Sequence, residues 1–107
     1  MNPLKDPEDL GEATQLINAY ARNDWVKFTY SSHALQRQGE RIIPNDLVEL
    51  ALRTGSAVSV KKEVRKGRLC YAYEVKMIDQ YGHVTVITAI AGPMHLVIVS
   101  TYTNISD

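Results

Sequence analysis

The chain has one cysteine, no long apolar run and no excess of either charge. Standing alone, Cys70 excludes an internal disulfide and a thiolate zinc cluster. No stretch of apolar residues approaches the length a membrane-spanning helix needs. The opening residues, MNPLKDPEDL, lack the basic region and apolar run of a secretory signal, so the cytoplasm is the expected compartment. Twelve Lys and Arg balance twelve Asp and Glu, which argues against indiscriminate binding to nucleic acid. Glycine-rich phosphate loops are absent, against a nucleotide-driven enzyme. His33, His83 and His95 are scattered without metal-ligand spacing, so neither a metal nor another cofactor is expected.

What is present is a charge asymmetry. Residues 1–24 carry five acidic side chains against two basic ones, whereas residues 53–68 carry six basic ones against Glu63. Such a basic stretch is either a solvated hairpin tip or the footprint of a polyanion. At 107 residues the chain is long enough for a single domain with one modest core.

The apolar spacing divides it. Asp6-Pro7-Glu8-Asp9 reads as a helix start, with Asp6 capping and Pro7 in the first turn. Leu10, Ala13, Leu16, Ile17 and Tyr20 recur at helical spacing up to Asn23-Asp24. Residues 1–24 are therefore expected to be a helical extension to a core over 25–107. Trp25–Tyr30 reads as a short strand. Ser31 or Ser32 is expected to cap a helix from His33 to about Arg41. Asn45 or Asp46 should cap another, with Leu47, Val48, Ala51 and Leu52 on its apolar face and Gly55 at its end. After Gly55 the period changes to two, giving strands over 57–63, 68–78, 84–90 and 95–102 joined by short glycine-containing connections. Leu69, Tyr71, Tyr73, Val75 and Met77 alternate onto one face. The expected fold is α+β, two to three helices packed on one face of a twisted antiparallel sheet.

Within the segment SSHALQRQGERIIPNDLVELALRTG, His33, Arg37 and Arg41 fall four residues apart and lie within roughly 80° of one another on a helix. Three potential cations on one face repel unless an anion or an acid offsets them. Two readings stand: the arginines pair with acids of the first helix, or the row faces an anionic ligand. His33 is the only member able to exchange a proton near neutrality. Guanidiniums at 37 and 41 would bind phosphate through charge-assisted forks. Taken with the family resemblance set out next, that combination implies metal-free RNA cleavage, which needs a base, an acid and fixed positive charge beside the phosphorane. Tyr102 or Lys62 would complete the acid–base pair if the last strand lies beside the helix. Lys61, Lys62, Lys66 and Arg68 would hold RNA, with Tyr71 and Tyr73 as stacking surfaces or as ordinary half-buried packing.

The pattern His33-Ala34-Leu35-x-Arg37-x-x-Glu40-Arg41-x-Ile43, the Ala51-Leu52-x-x-Gly55 helix end, the Gly67-x-x-x-Tyr71 strand and the Val97-Ile98-Val99-Ser100-Thr101-Tyr102 ending resemble domain-of-unknown-function family 4258 over residues 27–103. That family is distantly similar to RelE/MqsR-type toxin ribonucleases, and its members often stand beside a zinc-finger antitoxin. The resemblance implies a RelE-like toxin architecture, RNA as ligand or substrate and a cognate antitoxin protein as partner. Ile42 stands where the family usually has glycine, and the neutral charge differs from strongly basic ribosome-dependent toxins. From a different class, the chain reads as a non-catalytic, partner-binding or immunity-like module, or as a toxin fold without activity. The apolar stripe of the first helix is expected to be buried in the same chain or in a homodimer.

Overall fold

A computed structural model describes residues 7–41, 43–65, 67–79 and 82–105, with the backbone alone for Arg41, Glu63, Arg65, Arg68, Leu69, Asp79, Asn104 and Ile105. In chain order the elements are α1 (Leu10–Arg22), β1 (Lys27–Tyr30), α2 (Ser32–Arg41), α3 (Asn45–Thr54), β2 (Ser56–Arg65), β3 (Arg68–Asp79), β4 (Gly82–Gly92) and β5 (His95–Ile105). The fold is α+β.

Two of the three helices, α1 and α2, start where a polar side chain meets their first free N–H groups. Asp9, not Asp6, caps α1, its carboxylate accepting from the Glu12 N–H at 2.9 Å. Asp6 lies outside the described residues. Pro7 precedes the helix rather than opening it, and its carbonyl accepts from the Tyr73 hydroxyl at 2.7 Å. Ser31 caps α2 through its Oγ and the Ala34 N–H. For α3 the cap position is Pro44, which makes no side-chain cap bond. The Asn45 amide oxygen instead accepts from Gln38 Nε2 at 2.6 Å, tying the α2–α3 link. The ends of α1 and α3 satisfy each other: Arg53 Nε donates to the Ala21 carbonyl and Arg22 Nε to the Arg53 carbonyl. Asn18 adds a third tie, donating to the carbonyls of Leu52 at 2.6 Å and Gly55 at 3.1 Å. These bonds serve carbonyls that a helix end leaves without intrahelical partners.

The strands run longer than the alternation alone predicts, because the hairpin ladders continue almost to their turns. Arg65 faces Arg68 across the first turn and Gly92 faces His95 across Pro93-Met94. Gly67 and Met94 take positive φ there, 76° and 59°. The sheet order is β1-β5-β4-β3-β2. β2 to β5 form the expected antiparallel meander, and no helix falls between Arg68 and Ile90 among the described residues. The all-antiparallel expectation fails at β1, which pairs parallel with β5, Lys27 opposite His95 and Tyr30 opposite Ile98. The two-helix connection from β1 delivers β2 running opposite to it at the far edge of the sheet, and three hairpin reversals then bring β5 back parallel to β1. Trp25 stands in the turn before β1 and is 87% exposed, so the strand begins two residues later than its composition suggests.

One face of the sheet carries the core. Tyr73, Val75 and Met77 of β3, Val84 and Val86 of β4 and Leu96 and Ile98 of β5 meet Ala13, Ile17 and Ala21 of α1, Ala34 of α2 and Val48, Ala51 and Leu52 of α3. The α1 stripe is thus buried within its own chain. Small residues dominate the helical side, so the helix backbones approach the sheet closely while the sheet supplies the bulk. The opposite face presents exposed or half-buried side chains in register, among them Lys61, Glu74, Lys76, His83, Thr85, Ile87, Ala89, Val97 and Thr29.

Candidate nucleic-acid interface

α2 owes its position to Ser31. The N–H of Ser31 donates to the Ile98 carbonyl and its Oγ donates to the Val99 carbonyl, both at 2.9 Å, so the chain leaves β1 pinned to β5. From there α2 packs against β5. Ala34 and Gln38, one turn apart, take its buried side at 0% and 7% exposure. Gln38 Nε2 also donates to the Ile43 carbonyl. His33 and Arg37 each precede a buried residue by one position and so lie about 100° round the helix. His33 is exposed and Arg37 half-exposed. Arg37 pairs with Glu40 in its own helix at 3.4 Å, a long contact shared with the Gln36–Glu40 bond. Among the described residues no acid of α1 reaches it. The Arg41 side chain and Ile42 lie outside the described residues.

The expected cleft between this row and the last strand does not form as drawn. Thr101 is fully buried, opposite Val86 on the core face, while Tyr102 is 39% exposed and pairs with Thr85 on the other face. Alternation along β5 sends these neighbours to opposite sides, so Thr101 lines no open surface. A shallow groove of about 460 Å³ opens elsewhere, between the end of α3 and the strands at Ser56, Lys76 and His83. It includes neither His33 nor Arg37, and its lining is a mix of exposed side chains rather than a convergent set.

The basic hairpin occupies the other edge of the sheet. β2 lies three strands from β5, roughly 14 Å by strand spacing alone. Lys61 and Lys62 are both exposed and, as neighbours, point to opposite faces. Lys66 is outside the described residues, and Arg68 is placed by its backbone only. Lys62 sits opposite Tyr71 and its Nζ is 5.7 Å from the centre of that ring. Tyr71 is not an open stacking platform. It is 8% exposed, and its hydroxyl donates to Glu8 Oε1 at 2.9 Å. Tyr73 is buried completely, held by the Pro7 carbonyl. Lys62 Nζ reaches the same Glu8 Oε1 at 2.9 Å. That carboxylate raises the Lys62 pKa by hydrogen bonding and by charge.

Three contacts lay beyond the reach of the sequence reading. Glu8 looked like a helix-start acid, yet it bridges to β2 and β3. Thr29 Oγ1 and His95 Nε2 stand 2.8 Å apart across the parallel β1–β5 pair, a pairing invisible until that register is known. The Tyr30 hydroxyl donates to Glu49 Oε2 at 3.1 Å, and burial followed by the Glu49 charge raises its pKa. The described residues contain no group of three His, Cys, Asp or Glu able to hold a metal ion, and no helix among them is long and apolar enough to cross a membrane. No family model, curated protein or solved structure matches the chain.

Proposed function

We propose that the chain is a toxin-like, RNA-directed domain that binds RNA and cleaves it without metal at α2. One observation carries this reading: His33 and Arg37 stand one turn apart on the solvent side of α2, and the arginine is held by no acid of another described element. His33 takes the proton of a ribose 2′-hydroxyl as that oxygen attacks the adjacent phosphorus. Arg37, together with Arg41 from the next turn, offsets the charge of the phosphorane. The 5′-oxygen leaves with a proton supplied by solvent water, since Tyr102 lies on the sheet face away from α2. In this reading the protein works in the cytoplasm and a cognate antitoxin protein holds it inactive.

The test is cleavage of a single-stranded RNA by purified protein. His33→Ala and Arg37→Ala should each lower the rate by about 100-fold or more, the usual scale for losing an acid–base or charge-stabilising group. Both positions face solvent, so melting should stay within about 0.5 kcal/mol of the parent. A 2′-deoxy substrate should resist cleavage because the attacking group is missing. Cleavage that survives His33→Ala, or that proceeds equally on DNA, overturns the reading.

A second reading, a non-catalytic partner-binding module, is supported by the outer edge of β2, an end strand of the sheet with Val64 73% exposed. An unpaired edge beside an exposed apolar side chain accepts an added strand. Binding of an antitoxin there with no RNA cleavage by the free protein would favour it.

A further inference from the structure

The acidic start of the chain and the basic hairpin, separate in sequence, meet at one atom. Glu8 Oε1 accepts from Lys62 Nζ and from the Tyr71 hydroxyl, each at 2.9 Å. Two donors from neighbouring strands thus converge on one anionic oxygen. We propose that Lys62 and Tyr71 form a phosphate-recognition site for RNA, and that the chain's own Glu8 occupies this site in cis as a stand-in for the phosphate. The proposal rests on the RNA-directed reading above, at a place distinct from α2.

The pocket chemistry suits a phosphodiester as well as a carboxylate. An ammonium and a phenol are both donors, and a non-bridging phosphate oxygen accepts from both as Glu8 does. The Lys62 ammonium lies within cation–π distance of the Tyr71 ring, so the ring helps hold it in place when the anion changes. The side chains of Lys62 and Glu8 are each about half exposed, 55% and 54%, which leaves the ion pair open to exchange with a solvent-borne anion. Displacement does not require the arm to unfold. The Pro7 carbonyl bond to Tyr73 and the Asp9 cap on the first turn of α1 do not involve the Glu8 carboxylate, so its release breaks neither of them. Glu8 then sets a threshold. RNA must supply enough phosphates along the hairpin to outcompete a tethered carboxylate, which explains how a basic hairpin coexists with zero net charge.

The experiment compares Glu8→Gln with Glu12→Gln in the full chain, using equilibrium binding of a single-stranded RNA oligonucleotide whose 2′-hydroxyls are methylated, so that it cannot be cleaved, across a salt series. Both variants remove one negative charge near the same end of α1, but only Glu8 touches Lys62. Glu8→Gln should tighten binding by roughly threefold to fivefold, the most that one exposed ion pair withholds, while Glu12→Gln should change it less than twofold. The slope of log affinity against log salt should steepen by about 0.7 in Glu8→Gln, one more phosphate engaged on a single strand. Adding Lys62→Gln should erase both gains. His33→Ala should leave them intact, which separates this site from the one on α2. Equal binding by Glu8→Gln and the parent overturns the cis-occupied site and leaves the RNA reading standing. RNA binding by none of the proteins overturns both. Melting curves for each variant exclude loss of fold as the cause, and a destabilised Glu8→Gln is replaced by the single Lys62→Gln, which should weaken binding with its melting unchanged.

Discussion

Alanine at Gly55 and alanine at Gly39 should move stability in opposite directions, although both remove a glycine from a helix or its end. Gly55 has φ −79° and ψ 172°, a conformation open to any residue, so its backbone needs no glycine. The space does. A Cβ built there lies 2.5 Å from the Ala51 carbonyl oxygen and 2.7 Å from the Lys76 carbonyl oxygen. Both obstacles are backbone, one capping α3 through the Gly55 N–H, the other in β3 opposite Ser56. Relief means separating α3 from the sheet where they pack closest, at a cost of about 2–3 kcal/mol for an overfilled core position. The smaller entropy of the unfolded alanine chain offsets about 0.4–1 kcal/mol of that. The net loss of about 1–2.5 kcal/mol corresponds to a fall in Tm of about 5–10 °C for a domain of this size. At Gly39 a Cβ meets nothing within 4 Å. There the helix gains about 0.8–1 kcal/mol of propensity with no steric charge against it. Thermal and urea unfolding followed by circular dichroism read both. If Gly55→Ala melts at or above the parent, or Gly39→Ala melts below it, close packing at the α3–β2 junction is not what glycine provides.

Asn18→Ala should cost about 1–2 kcal/mol in urea unfolding, since it strips the donor from the Leu52 and Gly55 carbonyls at the end of α3; a change below about 0.5 kcal/mol would mean solvent replaces it. Tyr30→Phe should change the alkaline limb of stability. Burial and Glu49 raise the folded pKa, so Tyr30 contributes fully below its unfolded value of 10.0 and loses that contribution as pH rises beyond it. Phenylalanine cannot ionise in either state, so the fall in stability above pH 10 should be shallower than in the parent. Parallel profiles would remove Tyr30 from the list of alkaline-sensitive groups.

The antiparallel meander was legible because alternation is a two-residue signal repeated over four segments. The face carrying Tyr71, Tyr73, Val75 and Met77 followed from the same parity, and all four are buried. The apolar stripes of α1 and α3 were equally plain. β1 was not, beyond its existence: four residues flanked by helices carry no register, and its partner is the strand farthest along the sequence. Caps were misplaced at α1, where Asp9 caps rather than Asp6, and at α3, where Pro44 stands in place of Asn45 or Asp46, whereas Ser31 caps α2 as expected. The candidate sites fared differently by kind. Helical spacing was enough to put His33 and Arg37 on one side of α2, because that depends on the helix alone. Whether the Tyr71 hydroxyl faced solvent depended on Glu8, which accepts from it, and no local pattern records a contact between residues 63 positions apart.

That contrast follows from how the sheet treats its two edges. On one side the sheet ends in the short strand β1, which pairs along the start of β5, and Ser31 hands the chain to α2, which packs onto β5. Burial of Ala34 and Gln38 there fixes α2 in rotation, and His33 and Arg37 are turned outward as a consequence of core packing rather than of any bond of their own. At β2 the edge has no strand beyond it among the described residues. Lys61 and Lys62 are like charges adjacent in sequence, and Glu8 offsets Lys62. The first edge is held by packing and the second by an exchangeable ion pair. Salt should therefore act on the two unequally. Raising ionic strength weakens the Glu8–Lys62 contact and leaves α2 in place, so hydrogen exchange at the start of α1 should speed up with salt while exchange within α2 does not. Equal responses at the two ends would mean that the arm is held by Pro7 and Tyr73 alone, with Glu8 an onlooker.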